Sequence, residues 1–154
     1  AARLHGTAAA RFSQLRSAQA AWAQARGGNE IDLSGTLRGA FVVQEEELQD
    51  RDFLDMIERL LGGGPPPLGV AQLRAATVRV NAVLACIASA GPAQMAGWGP
   101  VTKQGIAGTQ AVWAGYRRAW GAFAAAAYPA WGSAAAEAWV TMKRADMLAA
   151  FLKS

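Results

Sequence analysis

Three residue types with useful chemistry recur together in this chain at one spacing. Gln19, Trp22 and Arg26 stand at i, i+3 and i+7, and Gln110, Trp113 and Arg117 repeat the pattern, with Tyr116 beside the second arginine. On a helix that spacing puts amide, indole and guanidinium on one face. Such a face can do two things. It can knit helices together, the indole N–H bonding to a glutamine or a carbonyl while the arginine buries its stem. It can also line a groove, with Trp113, Tyr116 and Trp120 as its aromatic wall. Two copies of so particular a face point to a partly duplicated helical unit.

Catalytic constellations are missing from the sequence. His5 is the only histidine and Cys86 the only cysteine, which leaves no Ser-His-Asp or Cys-His arrangement, no intrachain disulfide and no thiol-rich metal site. Glu137 and Asp146, the one carboxylate pair to consider for glycoside hydrolysis, are nine residues apart on one helix. Their separation of roughly 13 Å exceeds even the inverting range of about 6.5–9.5 Å. Gly62-Gly63-Gly64 runs into Pro65-Pro66-Pro67, whose nitrogens cannot donate to a phosphate. The expectation is a non-enzyme with no metal and no cofactor.

Charge is unevenly spread. The net charge is +4, yet Glu45, Glu46, Glu47, Asp50, Asp52, Asp55 and Glu58 are seven of the eleven acidic residues and share their stretch with Arg51 as the only base. That run reads either as a solvated helix face or as a docking surface for a basic protein. Arg3, Arg11, Arg16, Arg26, Arg38, Arg74 and Arg79 are scattered and line no single helix, which argues against nucleic-acid binding despite a pI of about 9.8. Arg117-Arg118 and Lys143-Arg144 are the basic doublets.

The elements that must carry these residues are helices. Ala, Leu, Arg, Gln, Met and Glu dominate, and β-branched residues never alternate over a strand's length. A first helix is expected over about 8–26, N-capped by Thr7 and ended by Gly27-Gly28-Asn29, with Phe12, Leu15, Gln19 and Trp22 as its seam. A second is expected over 34–61. Its apolar positions are Leu37, Phe41, Leu48, Phe53, Met56, Ile57, Leu60 and Leu61, with a bend or slip after Leu48. Glu47–Arg51 and Asp55–Arg59 have the spacing of helical ion pairs. A third helix is expected over 68–90, with Asn81 the polar residue in its apolar stripe and Cys86 buried. Gly91-Pro92 stops it, and Trp98 plugs the core end from a loop. A fourth over 102–127 carries the second Gln-Trp-Arg face. A fifth starts after Ser133 as N-cap and buries Trp139, Met142, Ala145, Leu148, Ala149 and Leu152. The fold class is all-α, a compact bundle of about five helices. Residues 1–61 form an N-terminal half, 62–67 a Gly/Pro linker and 68–154 a three-helix C-terminal half, sharing one core. No run of about 18 apolar residues lacks charge, so no transmembrane segment is expected.

Residues 70–152 resemble the LprI-like lysozyme-inhibitor family, a group of small exported bacterial helical domains. The resemblance rests on Val80-Asn81, on Gln110-x-x-Trp113-x-x-Tyr116-Arg117, on Phe123 followed by Tyr128-Pro129, and on Thr141-x-x-Arg144-x-x-x-Leu148. Residues 10–61 look like a degenerate copy of the last two helices, with Ala25 where Tyr116 stands. Many members carry disulfide-forming cysteines. Gly121 and Trp139 stand near those places here, so the packing of six tryptophans must substitute. The resemblance implies a structural signature made of Gln19, Trp22, Arg26, Asn81, Gln110, Trp113, Tyr116, Arg117, Thr141, Arg144 and Leu148. It implies a periplasmic or secreted protein that blocks a peptidoglycan-degrading enzyme, a lysozyme or muramidase, by occluding its cleft. Partner contact falls to Glu45, Glu46, Glu47 and Asp50 on the acidic side, or to Arg117, Arg118, Lys143 and Arg144 on the basic side. The start Ala1-Ala2-Arg3, without Met, is what signal-peptide removal leaves, with a lipid anchor upstream of Ala1 as a variant, and is equally what a trimmed piece of a longer chain looks like. Two alternatives stay open: an immunity protein against a delivered cell-wall hydrolase, and a helical scaffold with no inhibitory role.

Overall fold

Helix α1 spans Gly6–Asn29, α2 Arg38–Leu61, α3 Val70–Ser89, α4 Pro92–Ala96, α5 Lys103–Ala127 and α6 Ala134–Ala150, with a 3-10 turn at Pro129–Trp131 between the last two. This computed structural model describes residues 4–34, 36–63 and 67–153. No strand occurs among the described residues, and the helices pack into one bundle. The most extensive contacts join α1 to α5 and α3 to α6. Thus the two copies of the Gln-Trp-Arg face lie on the pair of helices that meet most closely.

Several boundaries differ from the sequence expectation for physical reasons. Pro92 does not merely stop α3; it opens the short α4, where a proline fits the first helical position. That makes six α-helices among the described residues. Helix α1 begins at Gly6 behind His5 and runs through Gly27-Gly28 to Asn29, with Glu30 as its C-cap. Gly27 is buried, and a β-carbon there would sit 3.4 Å from Val42 Cγ1, so glycine serves helix contact here. Helix α2 starts at Arg38 rather than Ser34, because the Ser34 N–H bonds the Asp32 carboxylate at 2.8 Å. Thr102 caps α5, accepting from the Gly105 N–H at 2.9 Å. Ser133 stands before α6 but makes no side-chain cap.

The main core mixes both halves of the chain. Leu15 and Trp22 of α1, with Phe53, Met56, Ile57 and Leu60 of α2, pack against Trp113, Tyr116, Trp120 and Phe123 of α5 and Val140 of α6. Phe53 and Phe123 tilt against Trp120 at 5.5 and 6.3 Å, and Tyr116 lies parallel to Trp22 at 6.2 Å. A second core joins Val80 and Ile87 of α3 to Trp98, Ile106, Ala145 and Leu148. Trp98 plugs this end as foreseen, donating its indole N–H to the Phe151 carbonyl at 2.7 Å.

Some expected core residues are outside. Leu37, Phe41 and Leu48 are exposed, because the first half of α2 turns Glu45 and Gln49 inward instead. Met142 and Cys86 are also exposed. Arg59 lies over the Trp139 ring at 5.4 Å, and neither Glu47–Arg51 nor Asp55–Arg59 is among the ion pairs formed. Gly64, Pro65 and Pro66 of the expected linker lie outside the described residues. Helix α3 is the one helix among the described residues long and apolar enough to cross a membrane, despite Arg74 and Arg79. In the bundle its Ala76, Val80 and Ile87 are buried, and it packs on α6.

Burial of Tyr116 in this core pushes its phenol above the ordinary value of 10.0, and the nearby Asp52 charge adds to the shift. The unfolded chain therefore releases this proton first. Stability is fully present below pH 10 and falls as pH rises past it. In a phenolate-absorbance titration of the two tyrosines, Tyr116 should stay protonated until the fold opens. Ionisation of both phenols at the ordinary value in a still-folded chain would contradict its burial.

Candidate functional site: a buried polar ring

The C-terminal end of α1 meets α2, α5 and α6 at a closed circuit of polar side chains. Arg144 of α6 is fully buried. Its Nη1 and Nη2 donate to the Glu30 carboxylate at 2.7 and 2.6 Å in a fork-to-fork pair, and its Nε donates to Gln110 Oε1 at 2.9 Å. Glu30 also accepts from Arg26 Nη1 at 3.0 Å. The Arg26 Nε in turn donates to Glu45, which accepts a second bond from Gln49 Nε2 at 2.7 Å. Gln49 Oε1 accepts the Trp22 indole N–H at 3.1 Å. The Arg144 guanidinium lies over the Trp22 ring, 5.0 Å from its centre, and closes the circuit.

The ring balances two guanidinium groups against two carboxylates, the condition under which charges tolerate burial. Around it, Gln19 Nε2 donates to Asp50 at 2.6 Å and Lys143 Nζ to Asp52 at 2.8 Å. Asn29 donates to the hydroxyl of fully buried Thr109, which reaches the Ala25 carbonyl at 3.2 Å and ties α1 to α5.

The sequence-assigned residues divide in two. Gln19, Trp22, Arg26, Gln110 and Arg144 converge on the ring or its rim, and Trp113, Tyr116, Thr141 and Leu148 are buried beside them. Asn81 is exposed on α3. Arg144 and Glu45, assigned to partner contact, have almost no surface to offer: both are spent within the ring. Asp50 and Lys143 are engaged in pairs, whereas Glu47 and Arg118 are exposed and without a hydrogen-bond or ion-pair partner among the described residues. Sequence reasoning missed Glu30 and Gln49. The signal for Glu30 was its position four residues after Arg26, readable only if the helix passes Gly27-Gly28.

The second Gln-Trp-Arg face is less completely satisfied than the first. Arg117 lies over Trp113, 5.6 Å from the ring centre, and its Nε is buried with no hydrogen-bond partner. Glu137 Oε2 is 3.6 Å from that Nε, an ion pair without a hydrogen bond. A cavity of about 250 Å³ opens here, with Thr77, Asn81, Gln110, Trp113, Arg117 and Thr141 on its walls.

No family model matches the sequence, and neither does any curated protein or solved structure. The ring defines the site on its own geometry. No group of three or more histidine, cysteine, aspartate and glutamate side chains able to hold a metal occurs among the described residues.

Replacing Glu30 by Gln leaves two guanidinium groups facing one uncharged amide. Urea unfolding of Glu30→Gln should show a loss of about 3–5 kcal/mol, the range for breaking a buried pair. The exposed Arg79–Asp146 pair, 2.7 Å apart, serves as the control: Asp146→Asn should change stability by less than about 1 kcal/mol. Equal losses at the two sites would mean that burial confers nothing special on the ring.

Proposed function

We propose that this protein is a non-enzymatic inhibitor that docks on a peptidoglycan-degrading enzyme of lysozyme or muramidase type and occludes its cleft in the periplasm. The observation that carries the reading is the arrangement of the residues behind the family resemblance. Trp113 and Tyr116 of α5 and Thr141, Arg144 and Leu148 of α6 are buried, and Gln110 of α5 is bonded directly to Arg144. A helix pair locked in this way suits an inhibitor, because a rigid surface loses little entropy on docking.

The contact surface follows by subtraction. With Arg144 and Glu45 buried and Lys143 held by Asp52, Arg118 is the exposed cation of the basic doublets. Muramidase clefts are lined by carboxylates, and a cation projecting from a fixed helix is the complementary group. On α2, Glu46 faces α1 and Glu47 is exposed.

Peptidoglycan lysis by a panel of lysozymes and muramidase toxins, with and without the purified protein, tests the proposal. Lysis should be suppressed for at least one enzyme. Arg118→Glu should weaken suppression about tenfold or more, while Glu47→Lys leaves it near the original level. No protection and no complex with any enzyme of the panel would overturn the reading.

A further inference from the structure

The two Gln-Trp-Arg faces make parallel contacts that differ at two points. On the first, Arg26 has Glu45 of α2 and, one helical turn on, Glu30. On the second, Arg117 has Glu137 of α6, but one turn on stands Gly121. The Glu137 carboxylate lies so close against Gly121 that a β-carbon there would collide with it. That placement holds Glu137 beyond hydrogen-bond reach of the Arg117 Nε. On the first face, Gln49 follows Glu45 by one turn and fills the space under Trp22. On the second, Thr141 follows Glu137, and its shorter side chain turns its hydroxyl back to the Glu137 carbonyl at 2.6 Å. Beside Trp113 and Thr141 lies the 250 Å³ cavity, walled on its far side by Thr77, Val80 and Asn81 of α3.

The walls of that cavity present donors. Gln110 is fixed by Arg144, which takes its Oε1 and leaves the Nε2 hydrogens without an acceptor among the described residues. The Asn81 amide and the N–H groups of Arg117 likewise make no hydrogen bond among them. The indole of Trp113 forms an apolar wall. One cation, two amide donors and a flat apolar surface match a small carboxylic acid in its ionised form, the same group that Glu30 supplies to Arg26 within the protein.

We infer that the cavity between α3, α5 and α6 is a binding site for a small organic carboxylate, seated on Arg117 and held by Gln110 and Asn81. The site does not depend on the inhibitor reading, since it needs no partner enzyme. It commits to a free small molecule, because a cavity of about 250 Å³ has ample room for a short-chain acid and is lined on three helices.

Propionate is the probe. Nitrogen-resolved NMR of the whole protein, titrated with sodium propionate against sodium chloride at equal ionic strength, should show saturable shifts at the Trp113 indole and the Gln110 side-chain amide. The dissociation constant should be on the order of 1 mM, as suits a ligand of few atoms. Arg117→Gln should weaken binding about tenfold or more, and Asn81→Ala, at an exposed position that the fold does not need, several-fold. Glu137→Gln, which removes the competing carboxylate, should tighten it. Shifts that rise linearly without saturation would overturn the assignment. So would chloride reproducing the shifts, an unchanged affinity in Arg117→Gln and Asn81→Ala, or tighter binding of a capped glutamate peptide than of propionate.

Discussion

A guanidinium with no exposed surface must find every one of its partners inside the protein, and that requirement at Arg144 fixes the arrangement of four helices. Its fork pairs with Glu30 at the end of α1, its Nε with Gln110 on α5, and its face with Trp22 on α1. Glu30 in turn needs Arg26, Arg26 needs Glu45, and Glu45 and Gln49 close back on Trp22. No bond in the circuit can be dropped without stranding a buried charge or donor, which costs more than the bond itself contributes. Aromatic packing supplies the bulk of the burial, but packing tolerates sliding. The ring sets one register for α1, α2, α5 and α6.

The same requirement explains why the buried face of α2 changes character along the helix. Its second half buries Phe53, Met56, Ile57 and Leu60, while its first half buries Glu45 and Gln49 and leaves Phe41 and Leu48 in solvent. The break in apolar period after Leu48 marks the place where the buried partner changes from an arginine-rich helix end to an aromatic core. It marks no break in the helix, which is continuous from Arg38 to Leu61.

Much of this was legible in the sequence. The helices, the Gln-Trp-Arg faces and the plug at Trp98 follow from periodicity and local chemistry. The polar ring did not, because its decisive pair is 114 residues apart and a charge carries no periodic signature. Gly27-Gly28-Asn29 reads locally as a helix stop, which hid the role of Glu30; in the bundle α1 runs on to Asn29, with Gly27 buried beside Val42. Glu45 looked like one more surface acid in an acidic run, and Arg144 like half of a basic doublet. Only the fold distinguishes them from their exposed neighbours Glu47 and Arg118. The difference between the two Gln-Trp-Arg faces was also written in the chain, as Gly121 for Glu30 and Thr141 for Gln49. The cavity beside the second face, with its unspent donors, required the helices in place.

The central claim is that Arg144 and Glu30 act as one unit. A double-mutant cycle of Arg144→Met and Glu30→Leu, followed by urea unfolding, measures that most directly. The coupling energy should be about 2 kcal/mol or more, with the double variant more stable than the two single losses added together, because it strands no charge. A coupling below about 0.5 kcal/mol would mean that the two side chains contribute independently, and that the ring does not hold the bundle in register.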